Sequence, residues 1–215
     1  MAASHSSGVR SLLASIKTVF GQRQPTDDAV GREIRNVLSL LEPLPALSGR
    51  FTGNDHATTR HIEAALKAGD KSTASLLDQI RPVIPFLPWR YSYPARADAP
   101  SLGLNIAFAE MIGPKAPFHS ESVCLGLTLI GPETLYPDHR HPAIELYYVA
   151  AGLATWTLDG ISRDQPPGAY ILHPSQAVHA MRTHAEPLLA IYSWSGSDVQ
   201  TTSVYTNSRD SRTSH

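Results

Sequence analysis

The chain has 215 residues, enough for one moderate domain or a compact domain with an accessory segment, and too few for two independent ones. Its 18 Lys and Arg against 19 Asp and Glu leave a formal net charge of −1, which argues against nucleic-acid or anionic-membrane partners and points to small molecules. The single cysteine, Cys124, excludes an intrachain disulfide and a thiolate zinc cage. With no apolar run long enough for a membrane span and no secretory pattern at the start, the expectation is a soluble, cytoplasmic protein, monomer or homodimer.

Residues 1–90 read as helical. In "VRSLLASIKTVF" the residues Val9, Leu12, Leu13, Ile16, Val19 and Phe20 follow the spacing of one helix face. A second helix is expected from Thr26 as N-cap, with Asp27 and Asp28 in its first turn and a buried stripe of Val30, Ile34, Val37, Leu38 and Leu41, ended by Pro43. Two more helical patterns cover 55–68 and 72–80. The stretch "RPVIPFLPWRYSYPARADAP" then breaks all periodicity and marks the organisational boundary.

From residue 91 to 196 the texture is that of short strands: "LNIAFAEMI", "SVCLGLTLI", "IELYYVAA", "LATWTL", "AYILH", "AVHAMRT" and "PLLAIYSW". Strands of this length with turn signals between them imply an all-β barrel or sandwich. The segment "TLDGISRDQPPG" reads as turn and loop. Residues 197–215 form a polar, Ser/Thr-rich stretch expected to end as a flexible tail.

Four of the ten histidines fall between His139 and His179. In "YPDHRHPAIELYYVAAG", residues two apart on a strand share a face, so His139, His141, Glu145 and Tyr147 would point one way if the strand began by His139. Pro142 argues that it starts later. His179, opening the next strand after "GAYILHPSQAV", is the expected remote ligand. Two imidazoles and a carboxylate suit Fe(II), Zn(II) or Mn(II) with open positions for substrate. His173 is expected to be structural or exposed, and His56, His61, His119 and His184 to be ordinary surface residues.

These two stretches resemble the paired motifs of the cupin superfamily. "HRHPAIELYYVAAG" supplies His-x-His, three residues, Glu, six residues, Gly, and "GAYILHPSQAVH" supplies the second motif. The sequence departs where Glu133 stands at the position of the first motif's leading glycine, and where Gln176 and Thr183 replace Gly and Asn. More closely, Tyr136, Pro137, His139, His141, Glu145 and Tyr147 are similar to the signature of the cupin-type dimethylsulfoniopropionate (DMSP) lyases, the DddQ and DddL group, with His179 as the last ligand.

The resemblance implies a mainly β cupin barrel, jelly-roll-like, with an N-terminal helical region. It also implies β-elimination of DMSP to acrylate and dimethyl sulfide, a carbon–sulfur lyase reaction. The implied metal ligands are His141, Glu145 and His179, with His139 close or coordinating. The ion would be Zn2+ or Fe2+ foremost, with Mn2+, Co2+ and Ni2+ as alternatives. Tyr136 is favoured as general base and Tyr147 as metal-associated; Trp194, Tyr192 and Trp156 are candidates for the sulfonium end of the pocket, since aromatic faces attract soft cations. A mononuclear iron dioxygenase and a non-catalytic ligand-binding cupin stay open as alternatives.

Overall fold

The computed structural model describes residues 2–93 and 99–206; residues 94–98 of the proline-rich boundary and the tail beyond residue 206 lie outside the described residues. The N-terminal part holds α1 (Ala2–Arg23), α2 (Ala29–Leu40), α3 (Ile62–Lys67) and α4 (Ala74–Ile80), and a short α5 (Leu102–Asn105) leads into the strands. The apolar stripe of α1 is buried as its spacing predicts, through Val9, Leu12, Leu13, Ile16 and Phe20, against Ile34 and Val37 of α2.

Asp28, not Thr26, caps α2. Its Oδ1 accepts the Gly31 N–H at 2.7 Å, while the Thr26 hydroxyl is turned back to donate to the Arg23 carbonyl at 2.9 Å. The chain needs residues 24–27 to reverse from α1, so the carboxylate is the first acceptor in reach of the new helix. The pattern over 55–68 divides into a 3-10 turn at Ala57–His61, capped by His56 Nδ1 accepting the Thr58 N–H, and then α3.

Among the described residues eleven strands follow: β1 (Ile106–Gly113), β2 (Phe118–His119), β3 (Val123–Ile130), β4 (Leu135–Arg140), β5 (Ile144–Ala151), β6 (Ala154–Leu158), β7 (Ile161–Gln165), β8 (Tyr170–His173), β9 (His179–Thr183), β10 (Leu188–Ser195) and β11 (Val204–Tyr205). They form a six-stranded sheet in the order β2-β1-β3-β10-β5-β8 and a five-stranded sheet in the order β11-β4-β9-β6-β7. The helices cover the outer face of the first sheet, where α2 lies against β5 and β8 and α3 against β5 and β10. Its inner face packs on the second sheet through Ile106, Tyr147, Ala190 and Tyr192 against Tyr136, Trp156 and Met181.

This layering explains the sequence texture. β3 is buried on both faces along its whole length, so "VCLGLTLI" reads as a continuous apolar run. β7 is exposed nearly throughout, so its sequence carries no hydrophobic signal; the expected loop is a β6–β7 hairpin turned at Asp159 and Gly160, both at positive φ. The beginning of the expected tail also departs from expectation. Residues 197–206 pack back on the sheets, with Val199 and Ser203 buried and β11 paired to β4. No helix among the described residues is long and apolar enough to cross a membrane.

Candidate metal centre

His139 and His141 do not share a strand with Glu145 and Tyr147. β4 ends at Arg140 in the five-stranded sheet, the chain turns a corner through His141, Pro142 and Ala143, and β5 begins at Ile144 in the other sheet. Pro142 sits at this corner, where its missing N–H breaks no ladder. A second corner, 174–177, braces the first: the Ser175 hydroxyl donates to the Pro142 carbonyl at 2.6 Å and the Gln176 N–H to the His141 carbonyl at 2.9 Å. The motif residues converge because the chain crosses between sheets.

His141, Glu145 and His179 present one donor atom each within 4.8 Å of one another, all buried. His141 Nε2 and His179 Nε2 both lie 3.2 Å from Glu145 Oε2. The opposite nitrogen of each ring is bonded to a backbone carbonyl: His141 Nδ1–H to Ala143 at 3.0 Å and His179 Nδ1–H to Ala177 at 2.9 Å. A carbonyl only accepts, so Nδ1 of each ring carries a proton and Nε2 is the nitrogen left toward the carboxylate. Two Nε2 atoms and a carboxylate oxygen converging in a buried site make a donor set that fits a divalent transition metal.

His139 stands beside the trio. Its Nδ1–H donates to the Pro137 carbonyl at 2.8 Å, and its ring stacks on Tyr136 at 4.0 Å and meets that of His179 edge-on at 4.1 Å. Burial holds its pKa well below the ordinary imidazole value, with the neighbouring His179 acting in the same direction, so the ring is neutral.

His173, at the end of β8, is fully buried rather than exposed, and its Nδ1 lies 3.0 Å from Glu145 Oε2. Burial pushes its pKa down to about 4, against the opposing bond to Glu145. Its signal in the sequence was its place two residues after Ile171, on the inward face of a strand. Trp194 completes the set by donating Nε1–H to Glu145 Oε1 at 2.7 Å while stacking on His141 at 4.3 Å. Burial would raise the Glu145 carboxyl, yet positive charge on His141 and N–H donation from His141, His173 and His179 act the other way and hold it well below the usual carboxylate range in the metal-free site.

The site opens into a cavity of ≈ 200 Å³, bounded by Tyr136, His139, Glu145, Tyr147, Tyr192 and Trp194 among others. Tyr136 is part of β4 and fully buried, not reaching in from a preceding loop. Trp156 does not join the cavity; it packs behind Tyr147 at 5.6 Å. Tyr148 faces the helices, against Tyr170 at 4.8 Å. Of the remaining histidines, His119 and His184 are exposed, and His56 and His61 are half-buried. Burial raises Tyr136 and Tyr147 well above the ordinary phenol range, reinforced by other tyrosines around Tyr136 and by Glu145 beside Tyr147.

Residues 33–190 match the family model described as dimethylsulfoniopropionate lyase. A curated relative, dimethylsulfoniopropionate lyase DddQ of Ruegeria pomeroyi, is 29% identical over 193 residues, covering 84% of this chain and 96% of the relative. The crystal structure of DMSP lyase DddQ from Ruegeria pomeroyi superimposes with a TM-score of 0.78 at 25% identity, over 93% of this chain and 96% of that one. A structure described as "Crystal structures of DMSP lyases RdDddP and RnDddQII" gives the same TM-score at 22% identity, over 94% of this chain and all of that one, and shares this fold. The chain belongs to the dimethylsulfoniopropionate lyase family.

Proposed function

We propose that the protein cleaves DMSP to acrylate and dimethyl sulfide by β-elimination at a metal held by His141, Glu145 and His179, with Tyr136 as general base. The observation that carries this reading is one cavity bounded both by the trio's carboxylate and by the buried Tyr136 and Tyr147. His139 has only Nε2 left to offer and is the fourth candidate donor. Bound there, a divalent ion, Zn2+ or Fe2+ foremost, supplies Lewis acidity toward the substrate carboxylate and positive charge that favours a nearby phenolate.

The chain's own residues do the rest. Trp194 and His173 fix the Glu145 carboxylate from its two oxygens, and the carbonyls behind His141 and His179 fix the ring tautomers. Tyr136, held face to face with His139, takes the proton from the carbon next to the substrate carboxylate. The C–H electron pair becomes the new C=C bond, and the pair of the breaking C–S bond leaves with neutral dimethyl sulfide. Burial alone opposes ionisation of Tyr136, so this role depends on a cation beside it. Tyr147, two residues from Glu145 on the same face, is the metal-associated partner. Tyr192 offers an aromatic face to the sulfonium, a contact contributing about 0.5–2 kcal/mol, while Trp194, bonded to Glu145 and stacked on His141, stands at the ligand end.

The test is product stoichiometry. Protein loaded with Zn2+ or Fe2+ should release acrylate and dimethyl sulfide one to one from DMSP, read by proton NMR and headspace gas chromatography. Release at the buffer rate with each of the five ions considered would remove the proposal. Oxygen consumption with a thiol or small acid instead would favour the dioxygenase alternative.

A further inference from the structure

Four residues fall in one line across the inner face of the six-stranded sheet: Tyr147 on β5 pairs with Tyr192 on β10, Tyr192 with Gly126 on β3, and Gly126 with Glu110 on β1. Three strand spacings separate the ends, about 14 Å between backbones, and side chains reaching in from both sides shorten that to the span of a small linear acid. Glu110 is the lone charged residue in the apolar run of β1, and it lines the same cavity as Glu145. Nothing in the elimination proposed above uses it.

The local architecture makes room for this carboxylate. A Cβ at Gly113 would meet Glu110 Oε1 at 2.5 Å, and one at Gly126 would meet the Tyr192 ring at 2.7 Å, so both glycines clear space at this end of the cavity. Among the described residues Glu110 Oε1 is buried and accepts no hydrogen bond. Two cations lie near it, Lys115 and the half-exposed Arg90, whose Nη2 is 3.6 Å away, too far for a hydrogen bond. Phe108 and Tyr192 meet edge to face beside it at 6.1 Å. A carboxylate against two aromatic rings, in a cavity bounded elsewhere by Glu145 and His139, is the chemistry that receives an onium cation.

We propose that Glu110 is a specificity-determining residue that binds the cationic end of the substrate and selects onium-bearing acids over uncharged acids of the same shape. The proposal deepens the lyase reading and rests on it for the identity of the cation as a sulfonium. Burial raises the Glu110 carboxyl above its ordinary value, while Arg90, Lys115 and Cys124 oppose the rise; an arriving cation favours the ionised form in the same direction.

Binding of 3-(trimethylammonio)propanoate and of 4,4-dimethylpentanoate, the isostere without the cationic end, to the metal-loaded protein, read by calorimetry, tests it. The wild type should prefer the ammonium acid by about tenfold or more. Glu110→Gln should abolish that preference and leave the isostere within about twofold, whereas Glu110→Asp should retain the preference. Arg90→Met removes the competing cation and should tighten the ammonium acid without changing the isostere. Equal loss of both ligands in Glu110→Gln, or weaker binding of both in Arg90→Met, would overturn the assignment; the latter would put the substrate carboxylate at this end. A wild type with the Glu110-dependent preference but no release of dimethyl sulfide would sink the lyase reading and leave this one standing.

Discussion

The Trp194 indole donates to Glu145 Oε1 at 2.7 Å while its ring stacks on His141 at 4.3 Å, so one side chain touches two members of the candidate ligand trio. β10 places it there: Trp194 pairs directly with Glu145 across the β5–β10 ladder. Trp194→Phe keeps the stacking and removes the donor. Loss of such an outer hydrogen bond costs about 10–100-fold in metal affinity or activity, and competition with a chelator should read a loss in that range. Unchanged affinity would mean that the bond does not orient the carboxylate.

His173 holds the other carboxylate oxygen. His173→Leu should weaken the metal by a similar factor, whereas His173→Asn, which can still donate to Glu145, should recover part of the loss. Equal loss in both variants would show that packing, not the hydrogen bond, is what His173 supplies.

Acidification should destabilise the metal-free protein in two stages. His173 binds its proton at about 4 in the folded state against 6.5 for a free imidazole, so the unfolded chain holds more protons across that window and stability falls as pH drops from 6.5 to about 4. Burial shifts His139 in the same direction. Glu145, whose folded value lies well below 4.5, adds a further loss below that pH. Urea midpoints measured from pH 7.5 to 4 should fall steadily, and His173→Gln should flatten the slope.

Two positions where cupins carry glycine keep glycine-like backbone without the glycine. Glu133 has φ 50 and Gln176 has φ 64, in the left-handed region that side chains other than glycine occupy at a cost of about 1–2 kcal/mol. The Gln176 N–H bond to His141 holds its corner in place. Gln176→Gly should leave the protein as stable or up to about 1 kcal/mol more stable, the gain being limited by the freer unfolded chain. A loss beyond about 1 kcal/mol by denaturant titration would show that the Gln176 side chain supports the corner.

Much of this site was legible before the structure, though not for the reason the spacing suggested. His141, Glu145 and His179 were identified by motif and alternation, yet alternation assumed a single strand where the chain crosses between sheets at Pro142. The polar run "YPDHRH" gave no apolar pattern from which β4 could be read. Of the two readings of His173, structural or exposed, the structure takes the first; its bond to Glu145 is not legible because Pro174 marks a turn and hides the inward face of β8. Residues 199–205 were missed because Val199 and Tyr205 are isolated apolar groups in a Ser/Thr-rich stretch, and their burial depends on β4 being where it is. The helices and the strands flanking the trio were read well, because burial on one or both faces imprints itself directly on composition.

The most direct test of the account is headspace dimethyl sulfide from wild-type and Tyr136→Phe protein at equal, independently measured metal content. The phenol oxygen is the only atom removed, and loss of a positioned general base costs about 10²–10⁴-fold. The account predicts full metal occupancy with turnover reduced by at least two orders of magnitude. Turnover equal to the wild type at equal occupancy would contradict it and take the base role away from Tyr136.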